Sequence, residues 1–124
     1  TYQVRASGKT GVATPVGFLS GGNQQKLIIA REVADKAKLV VASQPTRGLD
    51  IGATAFVRDL LIRQRNAGKS VLLISADLEE IMALSDRIAV MFGGAIAGIL
   101  PRSQATVQQI GLLMGGILEK ERVL

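Results

Sequence analysis

Apolar positions follow two different spacings along this chain. Leu27, Ala30, Ala34 and Ala37 recur at helical intervals and predict a helix over residues 23–38 with one apolar stripe. Leu39-Val40-Val41-Ala42 is an unbroken apolar run, as expected of a strand buried on both faces of a parallel sheet. Residues 43–50 contain Pro45 and Gly48 and read as a loop. Asp50 is placed to cap a second helix whose buried face is Ala53, Phe56, Val57, Leu60 and Leu61, with Gly68 placed to end it. Residues 70–75, with Val71-Leu72-Leu73-Ile74 inside, predict a second buried strand. Asp77 and Glu80 have the spacing of a capping box for a short helix ending at Ala83 or Leu84. Residues 88–92 and 95–100, joined at Gly93-Gly94, predict a hairpin. Thr106 with Gln109 opens a last helix, with Val107, Ile110 and Leu113 facing inward and Gly115-Gly116 beyond. Residues 1–18 show no sustained period and read as a loop, with a short strand at 2–5. The order helix–strand–helix–strand predicts an α/β fold with parallel strands and a carboxy-terminal β-hairpin and helix.

Composition narrows the chemistry. The 124 residues suffice for one small domain with a core, and 48% apolar against 20% charged residues excludes a disordered tail. A net charge of +5 suits an anionic partner, but the basic residues are scattered among acids. The close pair Arg63 and Arg65 falls on a predicted helix, and aromatics are too scarce to stack bases. That reads as a solvated helix face, with no nucleic acid as partner. The chain has neither histidine nor cysteine, which removes an imidazole base, a Ser-His triad, a thiolate nucleophile and a His/Cys zinc site. Absence of cysteine fits the cytosol. The longest uncharged apolar run, residues 88–100, is broken by Gly93-Gly94 and falls short of the roughly 20 residues of a membrane span. With no signal peptide visible at its start, the chain reads as soluble.

The most informative stretch is Leu19-Ser20-Gly21-Gly22-Asn23-Gln24-Gln25-Lys26. Two glycines after a serine open the first predicted helix, where unpaired N–H groups and a partial positive charge suit an anion such as phosphate. Glycine lets that backbone approach a ligand with no side chain between. A bare Ser-Gly-Gly is equally a loop ahead of a capping serine, but the whole octet resembles the signature motif of ABC-transporter ATPases. It has the form found in importers of simple sugars and nucleosides.

The resemblance extends along the chain. Residues 39–46 occupy the place of the family's Walker B strand, and Arg47-Gly48-Leu49-Asp50 that of its D-loop. Ser75-Ala76-Asp77-Leu78-Glu79-Glu80 lies where the switch loop is found. Ser85-Asp86-Arg87-Ile88-Ala89-Val90-Met91 is similar to the usual final hairpin, and Ile110-Gly111-Leu112-Leu113-Met114 to a common ending. The resemblance implies a partial P-loop NTPase (RecA-like) core whose Walker A half is absent. No Gly-x-x-x-x-Gly-Lys-Ser/Thr occurs; Ala6-Ser7-Gly8-Lys9-Thr10 lacks the earlier glycine and a preceding apolar strand. The chain then reads as a single partial domain, residues 1–124, from the carboxy-terminal part of the second ATPase domain of such a subunit; a naturally short protein is the other possibility. Its parts are a leading loop (1–18), the signature helix (19–38), Walker B to switch loop (39–84), and a terminal hairpin and helix (85–124).

Departures from the family pattern fall on its catalytic positions. Walker B in the family ends in Asp-Glu, the first supporting magnesium and the second polarising water; here these are Ser43 and Gln44. A serine hydroxyl organises a hard cation poorly, and a glutamine cannot accept a proton from water. The switch-loop histidine of the family is replaced by Ala76. The resemblance therefore implies a degenerate site, no metal ligand in this chain, and no ATPase activity of the chain alone. It also implies that Ser20, Gly21 and Gly22, with Gln24 beside them, contact ATP held in trans by a second ABC ATPase domain, and that Asp50 belongs to the D-loop at that junction. ATP and Mg²⁺ belong to the assembled parent, which sits on the cytoplasmic face of the membrane through permease subunits. Gln44-Pro45-Thr46 is similar to some nucleoside-type members, which tilts the solute toward nucleosides. An isolated partial domain is expected to self-associate. The rival class is a non-enzymatic regulatory or interaction module that keeps the ABC fold.

Overall fold

The apolar run after Lys38 becomes strand β1, Leu39–Ser43, in the computed structural model, which describes residues 36–117. The expected strand over residues 2–5, the signature stretch with Ser20, Gly21, Gly22 and Gln24, and the final residues 118–124 lie outside the described residues. The first helix was expected to reach Lys38, but residues 36–38 are not helical. The Lys38 carbonyl already accepts from the Ser70 N–H at 2.9 Å, so it is committed to a sheet ladder. The chain divides between Ala76 and Asp77 into two units.

In the first unit, β1 pairs in parallel with β2, Ser70–Ile74, in a register running from Leu39↔Ser70 to Ser43↔Ile74. The crossover is helix α1, Ile51–Asn66. Asp50 caps it as expected, its Oδ1 accepting from the Ala53 N–H at 2.8 Å. Ala53, Val57, Leu60 and Leu61 are buried, while Phe56 is only half-buried. Gly68, at φ +90°, lets the chain turn out of the helix. Arg63 and Arg65 occupy the last turn, where cations favour the helix dipole. Arg63 pairs with Asp59 one turn earlier at 2.7 Å, both exposed. The solvated-face reading of this Arg pair holds.

The two strands are not buried on both faces. Leu39, Val41, Leu72 and Ile74 are 47–58% exposed, while the alternate residues Val40, Ala42, Val71 and Leu73 are buried or half-buried. The period of two along each strand explains the split, because α1 covers one side and the register places the four exposed residues together on the other.

In the second unit, helix α2, Leu78–Leu84, is capped by Asp77, whose Oδ1 accepts from the Glu80 N–H at 3.2 Å. Strands β3, Arg87–Phe92, and β4, Ala95–Pro101, form an antiparallel hairpin. Its turn is Gly93-Gly94, both at positive φ, the geometry a two-residue hairpin turn needs. Between Val90↔Gly98 and Met91↔Ile96 the register shifts, leaving Ala97 as a bulge. A 3₁₀ turn, Arg102–Gln104, leads to helix α3, Val107–Met114, which opens with a complete capping box of Thr106 and Gln109. The core of this unit is Ile88, Val90, Ala97, Ala105, Ile110 and Leu113. Val107, expected to face inward, is 59% exposed. Successive steps of three residues drift by about 60° on a helix of 3.6 residues per turn, so the first of Val107, Ile110 and Leu113 leaves the stripe.

Candidate functional site

Ligands of open parallel sheets gather outside the carboxyl ends of the strands. That end is formed here by Ser43, the last residue of β1, with Gln44 after it, and by Ser75 and Ala76 after β2, brought level by the Ser43↔Ile74 pairing. The structure therefore assembles the three neutral positions Ser43, Gln44 and Ala76 around one strand end.

Gln44 is the hinge of this arrangement. Its backbone N–H donates to the Ile74 carbonyl at 2.7 Å, which carries the parallel pairing one step past the strands. Its side-chain Oε1 accepts the N–H of Ala76 at 3.2 Å. Its φ is +48°, in the left-handed region, where Gln44 stands alone among the described non-glycine residues. Pro45 behind it is buried. The following loop tightens through Arg47 N–H to the Gln44 carbonyl at 3.3 Å and Leu49 N–H to the Thr46 carbonyl at 3.2 Å, and it delivers Asp50 to the start of α1. The Asp50 carboxylate is engaged there as the helix cap. Ser43 is exposed at the strand end.

The donor set does not fit a divalent cation. Ser43 offers a neutral hydroxyl, Gln44 a neutral carboxamide already holding Ala76, and Ala76 no polar side chain, whereas a hard ion wants carboxylate oxygens. Among the described residues no group of three or more His, Cys, Asp or Glu converges as a metal cluster. None of their helices is long and apolar enough to cross a membrane. An open depression of about 470 Å³ on the second unit, lined by Leu78, Glu79, Met82, Ala83, Arg102 and Val107, holds none of the site residues expected from sequence. Sequence reasoning identified Ser43, Gln44 and Ala76 singly but missed the bond between Gln44 and Ala76. Its only available signal was that consecutive parallel strands end at both.

Comparison with known proteins now bears on this geometry. Over 69% of its length the chain superposes on 37% of an ATP-binding cassette solved as a dimer in a post-hydrolysis state with ADP and phosphate, with TM-score 0.63 and 29% identity. No protein-family model matches the chain. It is 58% identical over 103 residues to the guanosine import ATP-binding protein NupO of Bacillus subtilis, covering 83% of this chain and 20% of that protein. It is 49% identical over 115 residues to the nucleoside import ATP-binding protein NupA of Lactococcus lactis, covering 93% of this chain and 22% of the relative. An arabinose import ATP-binding protein of Burkholderia thailandensis is 46% identical over 106 residues, with 85% of this chain and 20% of that protein covered. The fold is that of the ATP-binding cassette. The chain belongs to the ABC-transporter ATPases, and it spans about a fifth of the length of the curated relatives it matches.

Proposed function

We propose that this chain is part of the ATP-binding subunit of an ABC importer for nucleosides or simple sugars, namely one partial domain from the carboxy-terminal part of its second ATPase domain. The observation that carries the reading is the 58% identity over 103 residues with a guanosine import ATP-binding protein. In this reading Ser20, Gly21 and Gly22 meet the γ-phosphate of ATP held by a partner ATPase domain, with Gln24 beside them and Asp50 in the adjoining D-loop. Mg²⁺ and ATP belong to the partner's Walker motifs, and permease subunits hold the assembly at the cytoplasmic face of the membrane. Nucleosides are the favoured solute, since the two relatives of higher identity among those compared are guanosine and nucleoside import proteins.

The site built on Ser43, Gln44 and Ala76 is non-hydrolytic in this reading. None of the three can take a proton from an attacking water at neutral pH, and general bases contribute about 10²–10⁴ in rate. One composite site is then active and the other is not. The test is ATP turnover by the complete transporter. Ser20→Arg, which puts a bulky cation above Gly21 and Gly22, is expected to abolish turnover, and Gln44→Ala to leave most of it. Equal losses from the two substitutions would overturn the assignment.

A further inference from the structure

We propose that Gln44 is a positioning residue, clamping the segment after β2 to the segment after β1 through the backbone of Ala76. The inference rests on the reading of this strand end as a degenerate nucleotide site, and it states what the residue at the base's position does there instead of chemistry.

The geometry supplies the argument. A backbone N–H can only donate, so the side-chain atom facing Ala76 is the oxygen of the carboxamide, and the orientation of the Gln44 amide is fixed by its partner. The same residue grips the other end of this short segment with its backbone, donating to Ile74 at 2.7 Å. Residues 74–76 are therefore held at both ends by one residue of the neighbouring strand. Ala76 has no polar side chain with which to anchor its own segment.

The backbone of Gln44 points the same way. A residue with a Cβ is disfavoured at φ +48°, and glycine would occupy the position without that penalty. Strained conformations persist where the surrounding structure over-determines them, and they cluster at clamps and switch regions. Here two hydrogen bonds from one residue hold the strain, and the side chain that glycine would lack makes one of them. The loop that begins at Gln44 ends at the α1 cap, so the clamp ties the segments on either side of α1 into one unit.

Hydrogen exchange of the full chain, read at the amide of Ala76, tests the clamp. Gln44→Met keeps the length of the side chain and removes the acceptor; it should raise exchange at Ala76 by about three- to tenfold, the worth of one net hydrogen bond. Gln44→Glu retains an acceptor and should preserve the protection. Gln44→Gly relieves the backbone and removes the clamp, so Ala76 should again exchange faster while the amides of α1 stay unchanged. Should the methionine variant fail to fold, the glutamate and glycine variants still decide the question. Unchanged exchange at Ala76 in the variants lacking an acceptor, or equal loss of protection in Gln44→Glu, would overturn the proposal. No nucleotide is present in this measurement, so its failure is distinct from failure of the transporter reading, which the Ser20→Arg turnover test addresses.

Discussion

The side-chain oxygen of Gln44 and the backbone nitrogen of Ala76 lie 3.2 Å apart across 32 positions of sequence. The parallel pairing of Ser43 with Ile74 puts them within reach. The bond has a thermodynamic signature as well as a local one. Gln44→Met should lower unfolding stability by about 0.5–1.5 kcal/mol. Gln44→Gly should lose less than methionine, because relief of a left-handed backbone regains about 1–2 kcal/mol. Urea titration of the three proteins checks the order; a glycine variant weaker than the methionine variant would contradict it.

Asp50 offers a second test of local chemistry. Its carboxylate satisfies the Ala53 N–H, an orphan donor of the first turn of α1. Asp50→Ala should destabilise by about 1 kcal/mol, while Asp50→Asn, which keeps the capping oxygen, should be nearly neutral. Denaturant midpoints with unchanged slopes would show it. Equal losses in both variants would mean that the charge, and not the cap, matters.

Leu113 and Val107 sit on the same short helix with opposite fates, at 2% and 59% exposure. Leu113→Ala should cost about 2–5 kcal/mol through the lost burial and the cavity it leaves. Val107→Ala should stay within about 0.5 kcal/mol, as surface changes do. Calorimetric or denaturant unfolding of the two variants separates the outcomes, and comparable losses would show that Val107 is covered.

These cases mark what the sequence could disclose. The caps at Asp50 and Thr106 and the hairpin turn at Gly93-Gly94 were legible because each depends on residues within one turn of one another. The apolar runs announced the strands, but not that Leu72 and Ile74 would lie exposed, since that depends on what covers each face. Val107 carried the right spacing for burial and fell just outside the stripe. Within the site, Ser43, Gln44 and Ala76 were legible as neutral positions. The contact between the last two was not, because it follows from strand register and a left-handed backbone. Ser20, Gly21, Gly22 and Gln24 lie outside the described residues.

The outer face of the parallel pair makes a fourth prediction. Val41 and Leu72 are register partners, both more than half exposed, beside Leu39 and Ile74. A contiguous apolar patch on a two-stranded sheet favours association with another chain. The purified chain should sediment as a concentration-dependent oligomer, and the double change Val41→Thr with Leu72→Thr should shift it toward monomer while keeping residues suited to strands. Sedimentation velocity over a wide concentration range decides; a parent chain that stays monomeric throughout would refute the idea.

The bulge in the hairpin bears on how the molecule tolerates changes of length. Strand β3 contributes six residues and β4 seven, and Ala97 is the one that the ladder does not count. Deleting Ala97 would join Gly98 to Ile96 with every other pairing intact, giving a straighter ribbon with less twist. Deleting a residue on the Pro101 side of the bulge, such as Ile99, would instead leave the irregularity in place and turn the far end of β4 over, sending outward what now faces the core. Shortening by one residue therefore keeps the ladder in register at a single address in this hairpin, with the loss of one small core side chain, and a gap placed elsewhere in β4 would mark a different packing of α3 against it.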